Sequence, residues 1–575
     1  MKKGEGRDEP MNWKEKKKYE ALLAHEQGFE KKVWGTCHTV CLAYPNVYRI
    51  GMANLGFQTV YKIFNALPSF LCERVFLPPA AGDAEFAAGA AGTVSLESQK
   101  PIGDFDILAF SVSFENDYPS ILKILDLGGI ALRAKDREGS EPLVIGGGIA
   151  LTLNPEPPAQ FFDVFILGEA EDVLPRFAGV YDEAKRSGLD RKTLLRHLQK
   201  QIPGLYVPSL YTVHYFTEGK IRDILPIEEG LPDKIRISPV QDIGAFSTAE
   251  VVSTPDSELA DMFLVEVNRG CPRFCRFCAA AYVYAPPRFR GYKEIVPVLD
   301  HGLTVKDKIG LVGTAVSDHP DLVKLCRHIV EQSARAGVGS LRIDRIDETM
   351  VDMLGACGIE TVALAPEAGS QRLRDLLRKG ITMDDILHAV ELLIEKDISN
   401  LRLYFMVGLP TETDEDIEAI IDLARKIQHT ALGRTEGKKK FRRVTLSINQ
   451  FIPKPRTPLQ WCALADVQAV AKRIKRISQA FRQDKQINVI ADVPKWNYVQ
   501  ALLSLGDRRV GDILLAVHRL KGHWPKALKS VNINPDFYVY REKDQDEFLP
   551  WDIIEVGLPK KALIREYKKA LPDSK

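Results

Sequence analysis

The stretch 269-RGCPRFCRFCAAA-281 holds Cys271, Cys275 and Cys278 within eight positions, directly after 262-MFLVEVNRG-270. That preceding run is apolar and rich in β-branched residues, the pattern of a buried strand. The three thiols therefore open the loop that leaves a strand. Five similar runs follow: 309-IGLVGTA-315, 340-SLRID-344, 361-TVALAPEAG-369, 400-NLRLYFMVGLP-410 and 443-RVTLSINQFIP-453. Between them lie amphipathic stretches of helical period, among them 321-DLVKLCRHIVEQSARAG-337, 383-MDDILHAVELLIEKD-397 and 414-DEDIEAIIDLARKIQ-428. Six β-then-α steps predict a parallel array curved into an open barrel, with its chemistry at the carboxyl ends of the strands.

Soft thiolate ligands select zinc, copper(I) or iron–sulfur clusters. Structural zinc takes four protein ligands, commonly from paired CxxC units. Neither a second CxxC nor an HxxxH occurs in the chain, and Cys326 and Cys357 fall inside helical patterns. Three thiolates on a 4Fe–4S cluster would leave one iron free to bind a small molecule.

Upstream, the chain shows an earlier alternation. Strand-like 39-TVCLAYP-45, 107-ILAFSVSF-114, 142-PLVIGGG-148 and 164-VFILG-168 are separated by helical 54-NLGFQTVYKIFNALPS-69 and 116-NDYPSILKILDLGGI-130. Near-continuous apolar strands alternating with helices predict a parallel sheet covered on both faces. The expected division is a charged helical arm over 1–35, a Rossmann-like α/β domain over 36–190 and a bridging segment with a β-hairpin over 191–260. A barrel over 261–490 and a small α+β appendage over 491–575 complete it. The appendage is expected from helical 510-VGDILLAVHRLKG-522 and 558-LPKKALIREYKKAL-571, with aromatic-rich sequence between them.

With 575 residues, 78 basic and 77 acidic, the chain carries a formal charge of +1, so no global field recruits nucleic acid or membrane. No apolar run is long enough to cross a bilayer, and the charged start lacks a signal-peptide core. Nine cysteines, mostly in apolar runs, suggest reduced thiols. The expectation is a cytoplasmic protein.

CxxxCxxC after the first strand of a six-fold βα array resembles the radical S-adenosylmethionine (SAM) superfamily. The resemblance implies that Cys271, Cys275 and Cys278 hold a 4Fe–4S cluster. SAM would chelate the open iron and be reductively cleaved to a 5′-deoxyadenosyl radical. It also implies SAM contacts at Gly313 and Thr314 after the second strand, at Arg342 after the third, and at Glu367, Gly369 and Ser370 after the fourth. Gly408 after the fifth strand and Phe277 between the last two cysteines would lie by adenine. Each has a structural alternative: glycines end strands for turn reasons, Glu367 could complement a helix dipole, and Phe277 could be core.

The segment 448-INQFIPKPRTPLQW-461 resembles that of long radical SAM proteins with an N-terminal cobalamin-binding-like domain. In the first domain Gly146, Gly147 and Gly148 would let backbone approach a nucleotide tail. The cobalamin motif DxHxxG is absent: 46-NVYRIG-51 carries Asn46 and Tyr48 in place of Asp and His. Cobalamin therefore stays open at this point. The implied activity is hydrogen abstraction, with cobalamin-assisted methyl transfer as its extension and flavodoxin or ferredoxin as reductant. Two alternatives remain. One is methylthiotransferase-like RNA modification, suggested by the basic loop 433-GRTEGKKKFRR-443. The other is a non-catalytic iron–sulfur redox or scaffold protein.

Overall fold

The computed structural model describes residues 13–35, 37–78, 93–433 and 441–572. Residues 1–12 of the expected arm lie outside it, and Trp13–His25 form a helix. The first sheet has six strands: β1 (His38–Val47), β2 (Phe70–Leu77), β3 (Ile107–Ser111), β4 (Leu143–Gly147), β5 (Val164–Ile166) and β6 (Leu205–Tyr206). Their order is β2-β1-β3-β4-β5-β6, parallel throughout except where β6 runs against β5. The order reverses between β1 and β3, which opens a crevice at the carboxyl edge.

Strand β2, 70-FLCERVFL-77, was not anticipated, because Glu73 and Arg74 interrupt its apolar run. Both are buried. Arg74 donates to Glu26 and Glu97 at 2.6 Å each, and Glu73 accepts from the Trp34 indole at 2.9 Å. A charged strand stays buried only when distant residues complete the pairing, and local sequence does not carry that information.

β6 takes this sheet beyond the expected boundary at 190. A hairpin of β7 (Tyr211–Tyr215) and β8 (Ile221–Pro226) follows, turning through Gly219 at φ +91°, and then β9 (Ile235–Arg236). The barrel region contributes β10 (Phe263–Arg269), β11 (Arg288–Phe289), β12 (Lys308–Gly313), β13 (Arg335–Val338), β14 (Thr361–Glu367), β15 (Asn400–Val407), β16 (Arg443–Gln450) and β17 (Ile487–Ala491). They form two four-stranded sheets, β11-β10-β12-β13 and β14-β15-β16-β17. A parallel bridge between Leu341 and Leu364 joins them, so the barrel is partial. Last comes β18 (Ile554–Glu555), parallel to β9.

Two strand expectations need correction. The third barrel strand is Arg335–Val338, not 340–344: helix Leu322–Glu331 ends early and Ser333 takes a left-handed φ of +60°. Leu341 supplies the bridge, and Ile343–Arg345 tighten into a turn. A seventh parallel strand, β17, extends the second sheet.

The segment after 491 is not an appendage. Leu502, Val510, Ile513 and Leu514, from helices Pro494–Leu505 and Val510–Arg519, join the core of the first sheet with Ile121 and Leu125. Asn154 donates to the carbonyls of Ser504 and Gly506 at 2.9 and 2.8 Å, and Arg508 pairs with Glu156 at 3.0 Å. An amphipathic helix must bury its apolar stripe, and here the first domain provides the cover.

Along β10 the period-two alternation separates two roles. Phe263, Val265 and Val267 pack outward with Ile295 and Leu299 of helix Tyr292–Val305. Leu264, Glu266 and Asn268 turn inward to a cavity.

Candidate active site

Gly270, at the end of β10, has φ +79°, and a Cβ there would lie 2.4 Å from the Tyr284 carbonyl oxygen. Only glycine makes this exit. Asn268 then fixes the loop to the end of β12: its amide donates to the Gly270 carbonyl at 2.9 Å and to Thr314 Oγ1 at 3.3 Å. Its Oδ1 accepts from Ala315 N–H at 3.2 Å, while the Thr314 hydroxyl donates to the Gly270 carbonyl at 2.6 Å. A Cβ on Gly313 would sit 2.1 Å from Asn268 Oδ1, so the lock needs that glycine.

The loop is then pinned along its length. Arg276 N–H donates to the Leu377 carbonyl at 3.0 Å, and its guanidinium to the Leu376 carbonyl at 2.8 Å. The Tyr282 hydroxyl donates to the Phe274 carbonyl at 3.0 Å, and Phe274 is held at φ +49°. Cys271, Cys275 and Cys278 are all free thiols. Burial raises the Cys278 thiol to about 11; the Ala281 N–H lowers it, the fields of Cys275 and Cys271 raise it, and the Ala280 N–H lowers it again.

Among the described residues no three His, Cys, Asp or Glu side chains converge on one metal ion. A zinc ion needs its sulfurs about 2.3 Å from a single point. Cys271, Cys275 and Cys278 share one loop pinned at its start and middle, and a donor set of three thiolates suits an iron–sulfur cluster.

Around this loop the structure divides the remaining candidates. Arg342 pairs with Asp344 at 2.7 Å and donates to the Lys379 carbonyl at 2.9 Å. Glu367 adopts φ +68°, a strained conformation for a non-glycine residue, and accepts from Lys379 Nζ at 3.2 Å. Phe277 and Phe274 pack against the apolar cluster that contains Ala368, Leu376 and Leu409. Gly408, at φ +77°, donates its N–H to Glu412 at 2.7 Å and borders a second cleft.

Gly369 and Ser370 have structural duties instead. A Cβ on Gly369 would lie 2.2 Å from Ile420 N, and Ser370 caps helix Gln371–Leu376 while donating to Asp416 at 2.6 Å. Sequence reading missed Asp318, which is buried and pairs with Arg273 of the cysteine loop and with Arg345 at 3.1 Å. It also missed Lys379. Neither lies in a motif.

A cavity of about 510 Å³ lies between the carboxyl edge of the first sheet and the inner face of β10 and β12. Gly146, Gly147, Gly148, Gly313 and Thr314 all line it. It descends between helices Leu55–Ala66 and Ala170–Arg186, past Val60, Leu174, Ala109 and Ile145. Gly148 has φ +109°, and a Cβ there would strike the Val112 carbonyl at 2.4 Å.

Arg269, two residues before Cys271, stands on the cavity wall. It pairs with Glu169 at 2.8 Å, Glu171 at 2.7 Å and Glu266 at 2.9 Å. Arg288 also holds Glu169 at 2.7 Å, and Arg290 holds Glu266 at 2.5 Å. Two of the three carboxylates follow β5, so the first domain grips the strand that leads into the cysteine loop. Lys454 of the proline-rich segment makes a second link, to buried Glu115 at 2.8 Å.

Asn46 and Tyr48 do not line this cavity. The Tyr48 hydroxyl donates to Glu26 at 2.6 Å. Asn46 donates to Asp117 at 3.0 Å. Burial lifts the Asp117 carboxyl to about 6, the Asn46 amide opposes the rise and nearby Glu115 adds to it. The folded state thus holds this proton more tightly than the unfolded chain does, so stability falls as pH rises from about 4 to about 6. We expect Asp117→Asn to flatten that fall and to gain up to about 3 kcal/mol above pH 6. Urea midpoints at pH 4 and 7 check this; parallel profiles for the two proteins would refute it.

A family model described as "Radical SAM proteins, N-terminal" matches residues 56–208, and one described as "Radical SAM superfamily" matches 265–424. The chain belongs to the radical SAM superfamily.

An uncharacterized protein of Methanocaldococcus jannaschii is 29% identical over 481 residues, covering 83% of this chain and 90% of its own length. A tRNA-2-methylthio-N(6)-dimethylallyladenosine synthase of Caldicellulosiruptor saccharolyticus is 29% identical over 180 residues, 28% of this chain and 38% of that protein. Among solved structures, the radical SAM methyltransferase TsrM from Kitasatospora setae, with tryptophan substrate and a SAM analog, aligns at TM-score 0.46 and 16% identity. That alignment covers 71% of this chain and 72% of TsrM.

As a radical SAM enzyme the protein uses a 4Fe–4S cluster and SAM and draws an electron from a donor. Bound together, these groups supply a 5′-deoxyadenosyl radical for hydrogen abstraction. Among the described residues no helix is long and apolar enough to cross a membrane.

Proposed function

We propose that the enzyme combines the SAM-derived radical with cobalamin to transfer a methyl group to an unactivated carbon. The cavity carries this reading. Its walls come from both the first domain and the barrel, and Val60, Leu174, Ala109 and Ile145 give it an apolar part on the first-domain side. Cys271, Cys275 and Cys278 hold the cluster. Gly313 and Thr314 face the amino group of SAM, and Arg342 its carboxylate. Glu367, stiffened by its left-handed backbone and by Lys379, meets the ribose, while Phe277 and Gly408 flank adenine. Gly146, Gly147 and Gly148 border the cobalamin. Gly369 and Ser370 drop out because packing and capping already occupy them.

Tyr48 is committed to Glu26, so the first domain offers cobalt no imidazole-like ligand in the motif position. The domains act as one unit, with helices Pro494–Leu505 and Val510–Arg519 counted with the first domain and helix Lys560–Ala570 with the barrel. A cytoplasmic setting and a flavodoxin or ferredoxin donor complete the reading. The RNA alternative rested on the loop 433–443, of which residues 434–440 lie outside the described residues.

The test is anaerobic reconstitution with iron, sulfide and hydroxocobalamin, followed by gel filtration and chromatography of SAM products. We expect cobalamin to co-elute near one per chain and 5′-deoxyadenosine to form. Val60→Trp, which fills that apolar part, should lose cobalamin and keep 5′-deoxyadenosine. Failure of the wild-type protein to retain cobalamin would remove methyl transfer and leave hydrogen abstraction alone.

A further inference from the structure

The C-terminal helix Lys560–Ala570 lies directly over the cysteine loop. Its inner face carries Leu563 and Tyr567, which are buried in the same apolar cluster that receives Phe274, Phe277 and Cys278. Glu566 reaches Arg276, between the second and third cysteines, at 3.3 Å, and also Arg378 at 3.5 Å and Lys569 at 2.8 Å. One carboxylate thus serves three cations.

The outer face of the helix is basic. Lys561, Arg565 and Lys568 are exposed and stand at i, i+4 and i+7, on one side of the helix. None of the three pairs with a carboxylate among the described residues. The run 560-KKALIREYKK-569 has five basic residues and one acid, in a chain whose formal charge is only +1. Beside it, a cleft of about 820 Å³ runs past Arg372 and Lys569 to Arg276 of the cysteine loop, with Pro572 at its edge. The basic face thus belongs to the helix that packs against the cysteine loop, and Lys569 of the same helix borders that cleft. No residue of this helix lines the cavity of about 510 Å³, so the face is free to receive a partner while that cavity is filled.

We infer that the Lys561–Arg565–Lys568 face is the docking surface for an acidic one-electron carrier protein that reduces the cluster. The inference rests on the radical SAM reading. One electron leaves the carrier, which is oxidised by one electron, and arrives at the cluster, which is reduced by one; no bond between the proteins forms. Charge complementarity selects the partner and speeds its encounter. Proximity to the cysteines gives the encounter its use. A polyanionic RNA would satisfy the charge but gains nothing from lying over the cluster loop.

The test compares the reconstituted wild-type enzyme with the triple variant Lys561→Glu, Arg565→Glu, Lys568→Glu. All three side chains are exposed, so the fold should hold, and an unchanged melting temperature checks that. Titration calorimetry with an acidic flavodoxin at low salt measures docking without any turnover. A second assay measures 5′-deoxyadenosine driven either by reduced flavodoxin or by dithionite, which is small and needs no docking.

We expect the variant to bind flavodoxin at least about tenfold more weakly and to lose a similar factor in flavodoxin-driven product, with dithionite-driven product unchanged. Added salt should slow the wild-type enzyme toward the variant. Equal flavodoxin affinity in the two proteins would overturn the inference. So would a variant that keeps flavodoxin binding but loses affinity for a tRNA probe, which would assign the face to RNA. If neither protein makes product even with dithionite, the enzymatic reading fails, while the binding difference still decides the surface.

Discussion

Replacing any one of Cys271, Cys275 and Cys278 by alanine is expected to strip the cluster and reduce 5′-deoxyadenosine to background while the fold survives. The loss should be total because, in the proposed assignment, three thiolates are the whole protein share of the ligand set, and a cluster held by two would have a second open iron and no fixed orientation. The fold should survive because other groups set the course of the loop. Asn268 and Thr314 hold its start, and the Leu376 and Leu377 carbonyls hold its middle through Arg276. Iron and sulfide per chain, the visible absorption of the cluster and a thermal melt measure both halves. Cys357→Ala is the control, because Cys357 is buried in the barrel core and should leave iron content untouched. Full iron and full product in Cys275→Ala would show the ligand assignment to be wrong.

The second large effect concerns Arg269. Changing it to methionine keeps its bulk but leaves Glu171 without a cation, while Arg288 still holds Glu169 and Arg290 still holds Glu266. Breaking one side of a buried ion pair costs about 3–5 kcal/mol, so the denaturant midpoint should fall by a corresponding amount. The double change Arg269→Met with Glu171→Met should recover much of that loss, because no lone charge is then left buried. For Glu266, burial favours the neutral acid, but the charges and hydrogen bonds of Arg269 and Arg290 outweigh it and hold the carboxyl below its ordinary range. Its contribution is present above pH 4.5 and is lost as pH falls through the depressed value. In Arg269→Met that acid-side loss should shrink. A midpoint shift under about 0.5 kcal/mol would mean that the network does not join the domains energetically.

The sequence by itself determined most of the alternation of strands and helices, five of the barrel strands and the position of the three cysteines after the first of them. Those features are local: a period of two or 3.6 and a glycine at a turn are written in consecutive residues. It also located Gly313 and Glu367 at strand ends, because those ends follow from the same periodicity. The third barrel strand was misplaced because 332-QSARAG-337 continues the helical pattern until Ser333 turns left-handed, a choice made by backbone geometry.

Tertiary structure alone decided the rest. It buried charged β2 by bringing Glu26 and Glu97 to Arg74, and it spent Gly369 and Ser370 on packing and capping. It folded helices Pro494–Leu505 and Val510–Arg519 back onto the first sheet, and it set Glu169 and Glu171 on Arg269 across the cavity. Each of these depends on a partner far away in sequence, and pairing at that range is set by which surfaces must leave water together rather than by any run of neighbouring residues.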